Sequence, residues 1–204
     1  LGFFVQSIGS MGNHSLSADG PLYISRGFGY LKTGNFDMQI DHPPLVMILS
    51  GIPILLLGPA FPQESWDTLN NEMYANDLLY VFNMNTDHLV YWARFPMVLL
   101  GLLLGILIYQ WSSRLYGPKG GLFSLLIFCF NPLMISYFHL VLTDVPLTFF
   151  VFSTIFTFYK YLNAPKTKIL LVTGIFFGLA LLSKALSLFL IPLFIFFFLF
   201  SSCG

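Results

Sequence analysis

Residues 91–113 read YWARFPMVLLGLLLGILIYQWSS, a continuous apolar stretch whose only charged residue is Arg94. A helix needs about 20 such residues to cross the hydrocarbon core of a bilayer. A helix of a soluble protein carries its apolar residues on one face and polar residues on the other, and this stretch has no polar face. It therefore predicts a transmembrane helix, and it decides the fold class.

Four further apolar runs follow the first one. The whole chain is 56% hydrophobic and only 9% charged, whereas about 25% of residues are charged in an ordinary soluble domain. We predict an all-α fold, a polytopic transmembrane helix bundle with about five spans in residues 91–204. After the first span, the predicted spans are residues 122–142 with a kink at Asn131-Pro132, 145–161, 169–182 and 186–200.

Residues 9–90 have a different composition, because they contain every acidic residue except Asp144. Within them, residues 45–57 are apolar, but Gly51 and Pro53 interrupt the run and it is too short to cross a bilayer. We predict that residues 9–90 form an external loop with juxtamembrane helices, in which residues 45–57 are an interfacial or re-entrant helix. The chain then forms one module over residues 1–204.

The loop charges predict the orientation in the plasma membrane. Cytoplasmic loops carry an excess of Lys and Arg, which places residues 9–90 and Asp144 together on the extracytoplasmic face. The cations that set this orientation are Arg114 and Lys119 in one loop and Lys160, Lys166 and Lys168 in another.

The ends and the overall charge limit what else the chain can be. Its 9 basic residues balance its 9 acidic residues, which argues against a nucleic-acid partner. Cys129 and Cys203 lie in apolar runs and form no disulfide or metal-ligand pattern.

The chain starts with Leu and stops just after an apolar run, so we expect a fragment, with residues 1–8 the tail of a spanning helix.

Asp144 is the first candidate for chemistry. It lies in LVLTDVPLT, between two apolar runs, and an acidic residue at membrane depth usually faces a cavity or a partner. The alternative is an N-cap at Asp144 with Pro146 in the first turn of the helix. The two roles are compatible.

Two further candidates lie in the external region. Asp19, in LSADGPLY, comes shortly before Tyr23, and its alternative role is that of a turn residue. His42, in DHPPL, precedes two prolines that fix the backbone and start the short helix. Beside Asp41, His42 could be charged and bind an anion, and its alternative role is that of a surface histidine before a turn.

Arg94 and Lys184 are cations in apolar surroundings, where a buried cation suits a phosphate. The alternative for both is that the side chain extends to the membrane interface. His139 precedes Asp144 by about one helical turn and is a candidate neighbour of the site, whereas His88 is predicted to be a loop residue.

Several short pieces, taken in order, carry a resemblance. The chain resembles GT-C membrane glycosyltransferases over nearly its whole length, and within them the protein O-mannosyltransferase and aminoarabinose-transferase branch in its prokaryotic family 39-like form. The pieces are the acidic residue before a Tyr-containing stretch, GNF at 34–36, HPPL at 42–45, RFP at 94–96, YGP at 116–118, NP at 131–132, TDVPL at 143–147 and GIFFGLALLSK at 174–184.

The resemblance implies a polyprenyl-phosphate sugar donor held in the membrane and transfer at the external face. By the same resemblance, Asp19 matches the catalytic acid of the first loop, Asp144 an acidic position of the second loop, and Lys184 a cation that serves the carrier phosphate. Many relatives have Asp-Glu at the first position, where this chain has Asp19-Gly20.

The residue types suit that chemistry. An acceptor hydroxyl on a protein, lipid or glycan must lose its proton as it attacks the sugar, and Asp19 is the candidate base. The leaving lipid phosphate needs charge stabilisation, for which Lys184, His42 and Arg94 are candidates, with Tyr23 and His139 as further substrate-binding residues. A single displacement would invert the anomeric centre. We predict no cofactor and no metal, with a divalent ion as the alternative.

A different class also fits some of these residues. In a secondary transporter or lipid-carrier flippase, an intramembrane Asp and Lys would form a coupling site. The clustering of polar residues in one external region and the lack of a visible sequence repeat favour the enzyme. A structural subunit of an envelope complex is a third alternative, and it predicts that Asp144 is dispensable.

Overall fold

The computed structural model describes residues 9, 17, 19–38, 42–83 and 85–202, without the side chains of 198–202. Across these residues the chain is helical and contains no strand, so the predicted all-α fold is confirmed. The predictions for residues 1–8, Asp41 and Cys203 lie outside the described residues.

The α-helices follow in chain order. They are α1 Gly20–Thr33, α2 Leu45–Leu57, α3 Gln63–Asp67, α4 Asn71–Asn76, α5 Thr86–Phe130, α6 Pro132–Phe138, α7 Asp144–Asn163, α8 Thr167–Ser183 and α9 Leu190–Ser202. A π-helical turn, Asp77–Val81, follows α4, and a 3-10 helix, Ala185–Phe189, precedes α9.

The short apolar helix predicted at residues 45–57 is α2, with the same bounds. It begins directly after Pro44 and ends at Gly58, whose φ of 63° is accessible to glycine at no steric cost. It packs across α1, and Gly27 and Gly51 make the close approach possible. A Cβ added at Gly51 would overlap the Gly27 carbonyl group, and one at Gly27 would overlap that of Met47.

An aromatic cluster holds the external region together. Trp66 and Tyr74 form a T-shaped pair with ring centroids 4.9 Å apart, and Phe61 contacts both of them. Tyr30 of α1 packs edge-on against Trp66 at 6.2 Å. The segment predicted as an external loop with juxtamembrane helices therefore has exposed carboxylates such as Glu64 on a backbone of short, packed helices.

Helix α5 is a tight helical hairpin rather than a single rod. Gly117 adopts φ 77° and ψ 173°, and Pro118 follows it. A Cβ at Gly105 would lie 3.2 Å from the Phe128 ring, and one at Gly121 would lie 3.0 Å from the Tyr109 carbonyl oxygen. The two arms therefore run antiparallel. The predicted reversal after the first span occurs at one glycine and not in a loop over residues 114–121.

The predicted second span is divided into two helices. The second arm of α5 ends at Phe130, and Asn131 is extended with φ −73° and ψ 116°. The side chain of Asn131 then accepts hydrogen bonds from the backbone N–H groups of Leu133 and Met134, which caps α6. The kink predicted at Asn131-Pro132 is thus a full helix break with a new N-terminus.

Helices α7 and α8 form the second hairpin of the membrane region. Their bounds lie within two residues of the predicted spans 145–161 and 169–182. Phe149 and Phe150 of α7 contact Phe176 of α8, with ring centroids 6.5 and 6.3 Å apart. The last predicted span, 186–200, begins with the 3-10 helix before α9.

Two helices of the described chain are long and apolar enough to cross a membrane, Thr86–Phe130 and Asp144–Asn163. Leu45–Leu57, Thr167–Ser183 and the segment Ala185–Phe197 are apolar but shorter. The number of spans, the loop and span boundaries of the module, and the orientation stay predictions.

Candidate functional site

Asp144 and Lys184 form an ion pair that joins the two ends of the α7–α8 hairpin. The Lys184 Nζ donates a hydrogen bond to Asp144 Oδ1 over 2.8 Å. Asp144 is the first residue of α7 and Lys184 follows the last residue of α8, so the antiparallel hairpin brings them together. Their side chains are 48% and 31% exposed.

The N-cap alternative for Asp144 is wrong. The N-cap position of α7 is Thr143, and no side chain caps this helix end. The carboxylate of Asp144 lies one residue into the helix, where it is directed to Lys184 instead of to the backbone N–H groups of the first turn. Lys184 is paired with Asp144, and its position relative to the membrane interface stays a prediction.

A cavity of about 360 Å³ opens beside Asp144, between α6 and the first turns of α7. Its polar side chains are Asp144, Tyr137 and Thr148, and the Thr148 hydroxyl donates to the Asp144 carbonyl oxygen over 2.7 Å. The remaining wall is apolar, formed by Leu133, Met134, Phe138 and Val145.

A second, apolar groove of about 420 Å³ runs along α7 toward the 3-10 helix. Thr148 lines both the cavity beside Asp144 and the groove. Such a pair of cavities suits an amphiphilic ligand with a polar head and an apolar chain. The groove is lined by Leu147, Thr148, Val151, Phe152, Ile155, Leu186, Ser187, Phe189 and Leu190.

His139 follows Phe138, which lines the cavity beside Asp144, but His139 itself does not line that cavity. It is 3% exposed, and its Nδ1 lies 2.7 Å from the carbonyl oxygen of Ile135, one turn earlier at the end of α6. The His139 side chain is therefore buried and does not face the cavity beside Asp144.

The external region brings two other predicted residues together. The rings of Tyr23 and His42 make an edge contact with centroids 6.3 Å apart. Tyr23 is buried in α1 and His42 is half-buried before α2. Asp19 is exposed at the start of α1, where its carbonyl oxygen accepts the Tyr23 N–H over 3.1 Å. Among the described residues, no hydrogen bond or ion pair joins Asp19 to Asp144.

Arg94 lies inside the protein. It is 2% exposed, in the first arm of α5. The interfacial alternative, in which its side chain extends to the membrane surface, is therefore wrong.

Arg26 was not among the sequence candidates, although it has the features of one. It is 1% exposed in α1, and its Nε donates to Asn71 Oδ1 over 3.0 Å. It also lines a polar cavity of about 540 Å³ with Thr68, Asn70 and Glu72, among others. The signal was a cation inside the aromatic and glycine-rich stretch LYISRGFGY.

No group of three or more His, Cys, Asp or Glu side chains comes together within the described residues in a way that could hold a metal ion. Metal dependence stays a prediction.

The fold and the Asp144 cavity together define an all-α integral membrane protein with a charged pair beside an amphiphilic pocket. The chain belongs to the dolichyl-phosphate-mannose-protein mannosyltransferase family, whose sequence profile matches residues 80–204. The resemblance to membrane glycosyltransferases is thus confirmed at the level of the family, and the branch stays a prediction.

One relative is an uncharacterized protein of Aquifex aeolicus (strain VF5). It is 28% identical over 172 residues, which cover 69% of this chain and 34% of the relative. The chain therefore spans about a third of that relative's length. No solved structure matches the chain.

Proposed function

We propose that the protein is a membrane glycosyltransferase that moves a sugar from a polyprenyl-phosphate donor to an acceptor hydroxyl at the extracytoplasmic face. The observation that carries the proposal is the Asp144–Lys184 pair, whose carboxylate lines a cavity that shares Thr148 with an apolar groove. Membership of a mannosyltransferase family favours this function over a transporter.

The donor phosphate binds at Lys184. An ion pair as exposed as this one contributes only about 0–1 kcal/mol to stability, so an incoming phosphate can replace the carboxylate at little cost. The donor phosphate is a diester with one negative charge, like the carboxylate, and it accepts strong hydrogen bonds from an ammonium group. The lipid phosphate that leaves is a monoester with more negative charge, so Lys184 stabilises the leaving group more than the bound donor. His42 and Arg94 are the other cations proposed to stabilise the leaving group.

The prenyl chain of the donor lies in the apolar groove that begins at Thr148. The chain moves from lipid into the groove and not from water, so it gains little hydrophobic energy. The groove positions the donor, and specificity for the head group comes from the cavity at Asp144. Tyr23 and His139 line neither the cavity nor the groove, and they are proposed to support the substrate site from behind, Tyr23 against the His42 ring and His139 beside Phe138.

The transfer is a single displacement with inversion. The acceptor oxygen attacks C1 of the sugar, the bond from C1 to the phosphate oxygen breaks, and the lipid phosphate leaves with that electron pair. Asp19 takes the hydroxyl proton, since it is exposed and so accessible to an acceptor from the aqueous side. Asp144 orients Lys184. Once the phosphate has replaced Asp144 as the hydrogen-bond acceptor of the Lys184 ammonium group, the Asp144 carboxylate faces the sugar.

The test uses the full-length protein in proteoliposomes with a polyprenyl-phosphate sugar donor. We expect Asp19→Asn and Asp144→Asn to lower turnover by about 10²–10⁴-fold, the usual range for loss of a general base or acid. Lys184→Ala should weaken use of the donor whatever the acceptor. Glu64→Gln, an exposed carboxylate of α3, is the matched control and should turn over like wild type.

The result that overturns the proposal is normal turnover by both Asp→Asn variants at matched expression. Normal turnover by Asp19→Asn alone would reassign the base to Asp144 and leave the reaction class intact.

A further inference from the structure

At the end of α7 opposite Asp144, an aromatic cluster packs between α5 and α7. The Trp111 ring of α5 lies 5.3 Å from Phe152, 5.4 Å from Phe156 and 5.7 Å from Tyr159, measured between centroids. Trp111 is not used by the function proposed above, and neither are the cations beside it.

Two cations meet the same ring of this cluster. Lys160 Nζ lies 4.0 Å from the Phe156 centroid and Arg114 Cζ lies 5.7 Å from it. Each contact is favourable by itself because a cation is attracted to the face of an aromatic ring. Together they hold two like charges close to each other, which is unfavourable wherever water does not screen them fully.

The described residues supply no counter-charge at this place. Asp144 is the only acidic residue after Asp87 in the sequence. It precedes Lys160 by 16 positions in α7, or about 24 Å along the axis at 1.5 Å per residue, and it is paired with Lys184. Among the described residues, no ion pair involves Arg114 or Lys160.

A neutral donor adds to the two cations. Trp111 Nε1 is buried, and no acceptor for its N–H is present among the described residues. Trp111 and Arg114 are three positions apart and so share one face of α5, while Phe156 and Lys160 are four apart and share one face of α7. The two faces meet in the aromatic cluster, where the indole of Trp111, the guanidinium of Arg114 and the ammonium group of Lys160 all contact the Phe156 ring.

We propose that Trp111, Arg114 and Lys160 bind the phosphate of an anionic membrane phospholipid. The phosphate diester, with one negative charge, accepts hydrogen bonds from the indole N–H and from both cations and relieves their mutual repulsion, and the acyl chains lie along the apolar surfaces of α5 and α7. Lys119, Lys166 and Lys168, all exposed, add about 1 kcal/mol each to the attraction of an anionic leaflet.

The test is lipid retention by the full-length protein, measured by native mass spectrometry after extraction from nanodiscs. The nanodiscs contain phosphatidylglycerol and phosphatidylcholine in equal amounts and with the same acyl chains. We expect wild type to retain phosphatidylglycerol selectively, and Arg114→Gln with Lys160→Gln to lose at least about tenfold of that selectivity, since charge-assisted hydrogen bonds are roughly twice as strong as neutral ones.

The matched control is Lys166→Gln with Lys168→Gln, which removes the same charge from exposed positions. It should keep selective retention. An equal loss in the control would overturn the proposal in favour of diffuse attraction to the leaflet, and equal retention of both lipids by wild type would also overturn it.

Trp111→Phe keeps the ring and removes only the N–H donor. We expect it to lower the amount of retained phosphatidylglycerol by about fivefold, the effect of one ordinary hydrogen bond, with thermal stability unchanged or higher. The amount retained is the readout here, because the phosphate of either lipid accepts from the indole N–H. This variant tests the site if the double variant does not fold, because unchanged retention would overturn the proposal. Displacement of the bound lipid by millimolar inorganic phosphate would instead identify a site for a soluble anion and overturn the lipid proposal.

Discussion

Tyr74 is the clearest case of a single polar group that the fold leaves unsatisfied. It is completely buried in the aromatic cluster with Phe61 and Trp66, and its hydroxyl has no hydrogen-bond partner among the described residues. Burial raises the pKa of Tyr74 far above its usual value of 10.0, because the phenolate would lose its hydration.

We predict that Tyr74→Phe raises the free energy of unfolding by about 1 kcal/mol, because a buried hydroxyl without a partner is destabilising by about 1–3 kcal/mol. The raised pKa also makes the folded state bind a proton more tightly than the unfolded state. Stability from this group is complete below pH 10.0 and is lost as the pH rises further.

Thermal unfolding in detergent at pH 8 and at pH 11, with Tyr74→Phe and wild type side by side, measures both effects. The variant should lose less stability between the two pH values. Tyr80→Phe is the control, since Tyr80 is 57% exposed. A clear loss of stability in Tyr74→Phe at pH 8 would show that the hydroxyl has a partner.

The individual site residues could be predicted from the sequence better than their contacts. Asp144 and Lys184 stand out as charges in apolar runs, but they are 40 positions apart and meet only because α7 and α8 form a hairpin. The contact of Tyr23 with His42 likewise depends on the crossing of α1 and α2. Arg26 was missed because its partner, Asn71, lies 45 positions away on another helix.

At the scale of helices, the crossing of α1 and α2 depends on two glycines. We predict that Gly51→Ala destabilises the protein by about 1–3 kcal/mol, the usual cost of overpacking. The new Cβ would overlap the backbone of Gly27, and backbone cannot rotate away as a side chain can. The two helices must therefore separate.

Gly174→Ala is the matched control, because a Cβ at Gly174 meets nothing within 4 Å in the described structure. Alanine favours the helix by up to about 1 kcal/mol relative to glycine, so this variant should be as stable as wild type or more so. Thermal unfolding of both variants measures the difference. If Gly51→Ala unfolds at the wild-type temperature, the close crossing is absent.

Helix bounds followed closely from the sequence where an apolar run ends in strong local signals. Helix α2 ends at Gly58, and α8 is flanked by Lys166 and Lys184. The reversal in α5 was harder to predict from the sequence, since Tyr116-Gly117-Pro118 has the composition of an ordinary loop. Only the conformation of Gly117, with positive φ, lets the chain reverse within one residue.

At the scale of the whole molecule, the hairpin turn at Gly117 and the external helices should lie on opposite sides of the membrane. The excess of Lys and Arg near the turn motivates this prediction. We expect Lys119→Cys, in a cysteine-free background, to react with an impermeant maleimide only after the membrane is permeabilised. Glu64→Cys should react in intact cells.

Both variants replace exposed residues, so access by the reagent depends on the side of the membrane and not on burial. Labelling of Lys119→Cys from outside in intact cells would show that the orientation is the opposite of the predicted one. The proposed active site would then lie on the cytoplasmic face.

The ion pair between residues 40 positions apart also has a consequence for biogenesis. Ribosomes add about 5–20 residues per second, so Asp144 emerges about 2–8 s before Lys184 exists. A lone carboxylate at the centre of an inserting helix would cost about 2.5–3.5 kcal/mol during that interval. Asp144 is the first residue of α7, so it can stay at the aqueous boundary of the translocon while the helix enters the lipid. Once Lys184 has been synthesised, the ion pair stabilises the newly inserted hairpin.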